Sequence, residues 1–427
     1  MKAAAAPRAG VEPALLRHAQ AALGELLAFS RPADQALSQY LRRHRELGQR
    51  DRAFIAETAF AVLRRRRSLE AAAGSNVPRD LAIAALVRVQ GYSGRALESA
   101  LRAEEHALVA RCKAARADAF PAAVQADLPD WLWRRLVEEY REGEAMRIAR
   151  GLLEPAPLDV RVNLARIERA AALAQLAARG VEATPTPYSP AGVRLRGKPA
   201  INRDPLFVAG AIEVQDEGSQ LLAYLLAPRR GQMVADFCAG AGGKTLALGM
   251  LMRGTGRLYA MDVSAKRLAE LAPRAARAGL SNVHPIALAG ESDVRARRLG
   301  AKIDRVLVDA PCSGFGTLRR NPDLKWRHGP DAIAELAHKQ QRILAAAARL
   351  VKPGGRLVYA TCSILPEENE RVAERFLAAS PDFAPLSCAA LLAAQRIPLD
   401  TGEQLRLWPH AHGTDGFFAA AFERRAG

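Results

Sequence analysis

The 427-residue sequence predicts an α/β protein whose last half is a doubly wound, Rossmann-like sheet, preceded by an all-helical segment and a small α/β unit. Three observations carry this. From Gly231 onward short apolar runs alternate with helical stretches, the pattern of a parallel sheet covered on both faces. The first of those runs leads directly into a glycine loop, Cys238-Ala-Gly-Ala-Gly-Gly-Lys244. Upstream the chain is instead rich in Ala, Leu, Arg and Glu, with apolar residues at helical spacing.

Residues 11–150 read as helices, with Phe54, Ile55, Thr58 and Val62 on one face and breaks at Gly74-Ser-Asn-Val-Pro78, Gly91-Tyr-Ser-Gly94 and Leu128-Pro-Asp130. Leu153-Glu-Pro-Ala-Pro157 reads as a linker. A strand at Leu158–Val162, a helix at Arg166–Arg179 and a loop at Thr184–Pro190 then make a small unit ending near Gly210. The expected sheet strands are Met233–Phe237, Arg257–Met261, Arg305–Val308, Arg356–Ala360 and Gly416–Phe422. A single core rarely exceeds ~250–300 residues, so three domains are expected, at 1–150, 151–210 and 211–427.

No run approaches the ~18 apolar residues that span a bilayer, and the Ala-rich start lacks the apolar stretch of a secretion signal. A cytoplasmic protein with no membrane partner is expected. The five cysteines are scattered without Cys-x-x-Cys spacing, which disfavours disulfides and zinc, so no metal is expected. Net charge is +17, with excesses of +7, +3 and +7 in the three segments. A basic balance spread this evenly points to a broad surface facing a polyanion, RNA, rather than to a basic tail. No pattern fixes the oligomeric state; a monomer is expected.

The glycine loop follows a strand and opens a helix, where glycines let the backbone approach a ligand. A phosphate-binding Walker loop needs glycine where Cys238 stands, and the third glycine of a dinucleotide fingerprint falls on Thr245, so both readings fail. Asp262 closes the second strand, about 20 residues on, where an acidic side chain accepts hydrogen bonds from ribose hydroxyls. Asp236 is placed to orient the loop. Ribose and backbone contacts without a phosphate clamp suit a methionine-bearing nucleoside. Cys238 suits tight packing better than reaction.

Cys312 and Cys362 stand just past the ends of two buried strands, as does Asp309. Adjacent first, fourth and fifth strands would bring all three to one crevice. A cytosine is alkylated at carbon 5 only after a thiolate adds to carbon 6, so one thiol is expected to attack and the other to promote proton loss and release. Lys244 would raise the thiolate fraction, and Asp309 would hydrogen-bond the ring nitrogen that gains electron density. Position alone leaves the two cysteine roles open. Arg319 and Arg320, following the catalytic loop, are the candidate RNA contacts. The run Arg64–Arg67 is either solvated surface or RNA contact, and Trp326 and Tyr359 either line the pocket for an unstacked base or pack in the core.

Asp-Ala-Pro-Cys-Ser-Gly (309–314), Arg-Arg-Asn-Pro-Asp-Leu-Lys-Trp (319–326), Val-Lys-Pro-Gly-Gly-Arg-Leu-Val-Tyr-Ala-Thr-Cys-Ser (351–363) and Glu-Glu-Asn-Glu (367–370) together resemble the Sun-type RNA cytosine-carbon-5 methyltransferases, specifically bacterial ribosomal-RNA members with a NusB-like helical domain. The resemblance implies an S-adenosylmethionine-dependent methyltransferase domain behind a NusB-like RNA-binding domain, acting on small-subunit (16S) ribosomal RNA. It makes Cys362 the nucleophile and Cys312 the residue that assists breakdown of the adduct. It implies cofactor contacts at Cys238, Ala239, Gly240, Ala241, Gly242, Gly243, Lys244, Asp262 and Asp309, joined by Arg267 and by Glu291 or Asp293. The family's usual Ala-Ala-Pro-Gly-Gly-Lys is here Ala-Gly-Ala-Gly-Gly-Lys (239–244), so a rigidifying proline is lost, at Ala241, and a flexible glycine gained, at Gly240. Alternatives of other kinds are the same chemistry on transfer RNA or another ribosomal site, and an RNA-binding assembly factor without activity.

Overall fold

The computed structural model describes residues 10–197 and 199–426, so the expectation drawn from the Ala-rich start falls largely outside the described residues. Contacts gather the chain into two compact units, Met1–Glu154 with Leu318–Gly329, and Pro155–Thr317 with Pro330–Gly427. The small α/β region therefore shares a unit with the large sheet, and a short segment of the expected third domain belongs with the helices.

In the first unit, helices such as Pro13–Leu26, Gln49–Arg64 and Pro78–Arg88 enclose a core of Leu16, Leu23, Ile55, Val62, Leu81 and Leu86. Gly74, at φ 61°, ends the helix Arg66–Ala73, and Pro78 starts the next at its first turn, as their residue types dictate. Arg65 leaves helical geometry (φ −121°, ψ 33°), so the run Arg64–Arg67 straddles a break. Arg64 donates to the Arg319 carbonyl at 2.9 Å, Arg66 pairs with Glu70 at 2.7 Å, and Arg67 meets the Leu128 carbonyl at 2.7 Å. These arginines hold the unit together.

The segment 318–329 is gripped through its polar groups. Lys325 is 2% exposed and donates to the carbonyls of Arg64 at 2.7 Å and Asp127 at 2.6 Å. Trp326 donates to the Leu63 carbonyl at 2.8 Å, so it packs within the helical unit. Arg319, expected as an RNA contact, is 5% exposed in the docked segment. Arg320 is half-buried.

The second unit holds two sheets. The smaller is antiparallel, in the order β2-β3-β1-β4, from β1 (Leu158–Val162), β2 (Ala183–Pro185), β3 (Gly192–Leu195) and β4 (Ile212–Val214), with the helix Arg169–Ala178 on its apolar face. The expected loop at 184–190 thus begins inside edge strand β2, where Pro185 needs no ladder donor. The larger sheet contains β5 (Met233–Asp236), β6 (Arg257–Asp262), β7 (Val283–Ala287), β8 (Ile303–Asp309), β9 (Val351–Thr361), β10 (Phe383–Leu386), β11 (Leu405–Leu407) and β12 (Phe417–Arg424). Its order is β10-β12-β9-β8-β5-β6-β7, with β11 also on β12. Strands β9, β8, β5, β6 and β7 are parallel, and β12 runs antiparallel to β9.

Alternation along the central strands fills cores on both faces. Val306, Val308, Leu357 and Tyr359 join one cluster, while Leu307, Val358 and Ala360 join the other. The small sheet is pinned to the large one by Glu213 on β4, which pairs with Arg274 at 3.1 Å and Arg277 at 2.6 Å. Among the described residues no helix is long and apolar enough to cross a membrane.

Burial pushes the Lys325 ammonium down to about 7. Its folded pKa lies below the ordinary 10.5, so the unfolded chain binds one proton more between about pH 7 and 10.5, and stability rises with pH across that window. Lys325→Met is expected to flatten this rise by up to about 1.4 kcal/mol per pH unit. Urea unfolding at pH 7.5, 8.5 and 9.5 measures it; identical slopes for the two chains would refute the assignment.

Candidate active site

A cavity of about 590 Å³ opens at the carboxyl ends of β5, β6 and β8, where crevices of doubly wound sheets bind ligands. Its wall takes Cys238 from the glycine loop, Asp262 and Arg267 from the β6 side, Glu291 after β7, Asp309 and Cys312 after β8, and Cys362 after β9. Lys339 and Ile343, from the helix Pro330–Ala348, and Val263 also line it; none had been expected from sequence. Val263 is 64% exposed, an apolar surface that a ligand's ring would cover.

The glycine loop shapes the site more than it lines it. Gly240 and Gly242 have φ of 54° and 88°, and a side chain at Gly240 would lie 2.2 Å from the Arg267 guanidinium. Ala239, Gly240, Ala241, Gly242 and Gly243 are not on the cavity wall. Their backbone is spoken for: Gly240 N–H donates to Asp262 at 2.8 Å, Ala241 carbonyl accepts from Arg274, and Gly243 carbonyl accepts from the buried Arg161 at 3.0 Å. Asp262 also accepts from Ser264 N–H at 2.8 Å, so both carboxylate oxygens are fixed in place with lone pairs remaining for hydroxyl donors. Of the two acidic candidates after β7, Glu291 lines the cavity, held by Arg342 at 2.8 Å. Asp293 instead caps the helix Val294–Arg297 and accepts from the N–H groups of Ala289 and Arg295.

Lys244 donates to Asp309 at 2.6 Å. Burial works against its ammonium, but Asp309, aided by Cys362 and Asp236, more than offsets this and raises the pKa. Asp236 is fully buried; burial raises its carboxyl to about 7 despite the Thr245 hydroxyl bonded to it at 2.8 Å. Burial, then the charges of Asp236, Asp309 and Asp262, push the Cys238 thiol well up, which keeps it protonated and inert.

The sulfurs of Cys312 and Cys362 stand 3.4 Å apart. The contact with Cys362, together with burial, pushes the Cys312 thiol well up; either sulfur can donate in that contact. Beneath the pair lies a group that sequence reasoning missed. Glu368, fully buried, accepts from Ser313 N–H at 2.8 Å, from the hydroxyls of Ser313 and Ser363 at 2.5 Å each, and from Gln340 at 3.0 Å. Tyr359 is fully buried, its hydroxyl 2.5 Å from the Glu368 carbonyl, so it supports the site from the core and does not line it. Away from the cavity, His18, His44 and Glu46 lie within 4.8 Å of one another, the one such group among the described residues; that the chain holds no metal stays an expectation.

A Rossmann-like sheet with an antiparallel β12 beside β9, and a ribose-type carboxylate next to a glycine loop without a phosphate clamp, defines a methyltransferase domain. The comparisons make this particular. Residues 223–423 match the family 16S rRNA methyltransferase RsmB/F, and residues 128–202 match the ferredoxin-like domain of the same methyltransferases. The chain is 36% identical over 309 residues to the "Probable ribosomal RNA small subunit methyltransferase B" of Bacillus subtilis, across 71% of this chain and 68% of that protein. The Synechocystis counterpart is 37% identical over 306 residues, 70% and 67% of the two chains. The solved structure of PH0851 superposes with a TM-score of 0.79 at 26% identity, covering 97% of this chain and 99% of that one. A methyltransferase homologue from Pyrococcus horikoshii gives 0.61 at 30% identity, over 71% and 97%. The chain belongs to the RsmB/F family, S-adenosylmethionine-dependent RNA cytosine-C5 methyltransferases.

Replacing Gly240 by alanine forces a side chain into left-handed backbone, at a cost of about 1–2 kcal/mol, and drives Arg267 from its seat. Gly240→Ala is expected to weaken S-adenosylmethionine binding about tenfold, with kcat little changed. Titration calorimetry reads this; an unaltered Kd would contradict it.

Proposed function

We propose that this protein methylates carbon 5 of a cytosine in small-subunit (16S) ribosomal RNA through a covalent cysteine adduct, in the cytoplasm and as a monomer. The observation that supports it best is the pair of sulfurs 3.4 Å apart on the wall of a cavity that also presents Asp262 and Asp309. That spacing lets two thiols address neighbouring carbons of one ring.

Cys362 is the nucleophile in this reading, its sulfur lying against that of Cys312 and near the Lys244 charge. Its sulfur bonds carbon 6, and the ring's electron pair moves toward carbon 5. A carboxylate paired with an ammonium is an acceptor, so Asp309 suits the exocyclic amine of cytosine, while Lys244 offsets negative charge that builds on the ring. Asp262, Glu291 and the apolar wall of Val263 and Ile343 would hold S-adenosylmethionine, which would supply the electrophilic methyl group. Once the Cys362 sulfur is bonded to carbon, Cys312 gives its own proton to solvent and, as thiolate, takes the proton from carbon 5; the ring double bond re-forms, the carbon 6–sulfur bond breaks, and Cys362 leaves as thiolate.

The target rests on the family and on the +17 charge, which suits a polyanion. Arg320 remains a candidate RNA contact. Methylcytosine mapping of 16S RNA from cells with and without the gene tests the target directly. The cysteines separate by mutation. With labelled methyl donor and undermodified RNA, Cys362→Ala is expected to incorporate nothing, while Cys312→Ala accumulates a protein–RNA adduct that survives denaturing electrophoresis. The opposite pattern would exchange the two roles.

A further inference from the structure

The chemistry proposed above needs two sulfurs at a fixed separation, and each sits on a turn just beyond a strand end. Backbone pairing alone does not hold such turns: β8 ends at Asp309 and β9 at Thr361, leaving Cys312 and Cys362 outside the ladder. Beside a backbone bond from Gly316 N–H to the Cys362 carbonyl at 2.8 Å and a contact of the Ser313 and Ser363 hydroxyls at 3.2 Å, one side chain joins them. The residue directly after each cysteine, Ser313 and Ser363, donates its hydroxyl to the same Glu368 oxygen, at 2.5 Å in both cases. The other oxygen takes the Ser313 N–H at 2.8 Å and Gln340 at 3.0 Å, and Gln340 also donates to the Pro311 carbonyl at 3.0 Å, immediately before Cys312. Asn369, the next residue, accepts from Thr361 at 2.5 Å and donates to the Ser363 carbonyl at 3.1 Å, on either side of Cys362.

We infer that Glu368 is a positioning residue for the reaction: its buried carboxylate clamps the two cysteine turns together and sets the distance between the thiols. A carboxylate taken wholly out of water is costly unless its lone pairs are filled, and here four donors fill them. The donors come from the two turns and from the helix behind them, so the penalty of leaving the carboxylate unpaired opposes any drift of either turn. Misplacement of reacting groups by about 1 Å can cost on the order of a hundredfold in rate. Glu368 touches neither cavity nor sulfur; it acts through Ser313 and Ser363.

The inference rests on the two cysteines being the reacting groups, and its test has a readout independent of catalysis. Diamide joins neighbouring thiols: each loses its proton, the pair gives up two electrons, a sulfur–sulfur bond forms, and the azo group is reduced to the hydrazine. The rate of Cys312–Cys362 bond formation, followed by mass spectrometry of the linked peptides, reports how closely the thiols are held. In Glu368→Gln it is expected to fall at least tenfold, with a similar loss in single-turnover methyl transfer and a S-adenosylmethionine Kd within twofold of the parent. The double variant Ser313→Ala/Ser363→Ala, which leaves Glu368 the Ser313 N–H and Gln340, carries the same expectation if the first does not fold. Glu374→Gln, exposed on the following helix, is the control and keeps parental rates. Parental bonding rates in either folded variant overturn the clamp. Should Cys362→Ala and Cys312→Ala both methylate normally, the covalent reading fails, while the bonding rate still decides the clamp.

Discussion

The parallel pairing of β8 with β9 is the constraint from which the rest of the site follows. Their register sets Asp309 opposite Ala360, with Val308 opposite Tyr359 and Leu307 opposite Val358. From that anchor Cys312 is three residues on and Cys362 two, so positions 50 apart in the chain meet at 3.4 Å. The register is itself overdetermined. A slip of one residue would turn Val306, Val308, Leu357 and Tyr359 out of one core cluster and into the space of the other. Beyond the ladder, Ala310 N–H bonds the Ala360 carbonyl and Gly316 N–H bonds the Cys362 carbonyl, at 2.9 and 2.8 Å. Gly316 has no alternative residue, since a side chain there would stand 2.1 Å from the Gly416 carbonyl.

Charge around the cavity has a consistent sense. Asp236, Asp262 and Asp309 bring carboxylates to the ends of three adjacent strands, against Lys244 and Arg267. Such a field favours a cationic sulfonium ligand, and it adds to the burial of Cys238, and to the Cys362 contact and burial of Cys312, that push those thiols up. Lys244 meets one of these carboxylates directly, pairing with Asp309 at 2.6 Å. One arrangement thereby keeps the Cys238 thiol protonated and sets the Lys244–Asp309 pair beside the two sulfurs.

Much of this was legible because it is written in short-range pattern. Apolar alternation revealed β5, β6, β8, β9 and β12, and the glycine loop and strand-end residues revealed the cavity they face. Strand β7 was passed over because His284 and Pro285 interrupt its apolar run at an exposed sheet edge. The docking of 318–329 could not be read, since Lys325 finds its acceptor at Asp127, 198 positions away. The same burial withdrew Arg319 from the surface. Glu368 was hidden for a related reason: within Glu367-Glu-Asn-Glu370 it looks like a solvated helix start, and only tertiary folding supplies the serines that make its burial tolerable.

The altered glycine loop shows how such long-range contacts replace a local device. A proline stiffens a loop chiefly by removing freedom from the unfolded chain, worth about 0.4–1 kcal/mol. Here Gly240, Ala241 and Gly243 are each tied by a hydrogen bond, to Asp262, Arg274 and Arg161 in turn. Bonds of this kind contribute roughly 0.5–1.5 kcal/mol each, more where a charge is involved, so the loop is held without the ring. Two of the three depend on the small sheet. Arg161 lies on β1, and Arg274 is steadied by Glu213 on β4. The small α/β region is thus part of the cofactor loop's support, which is why it folds into one unit with the catalytic sheet.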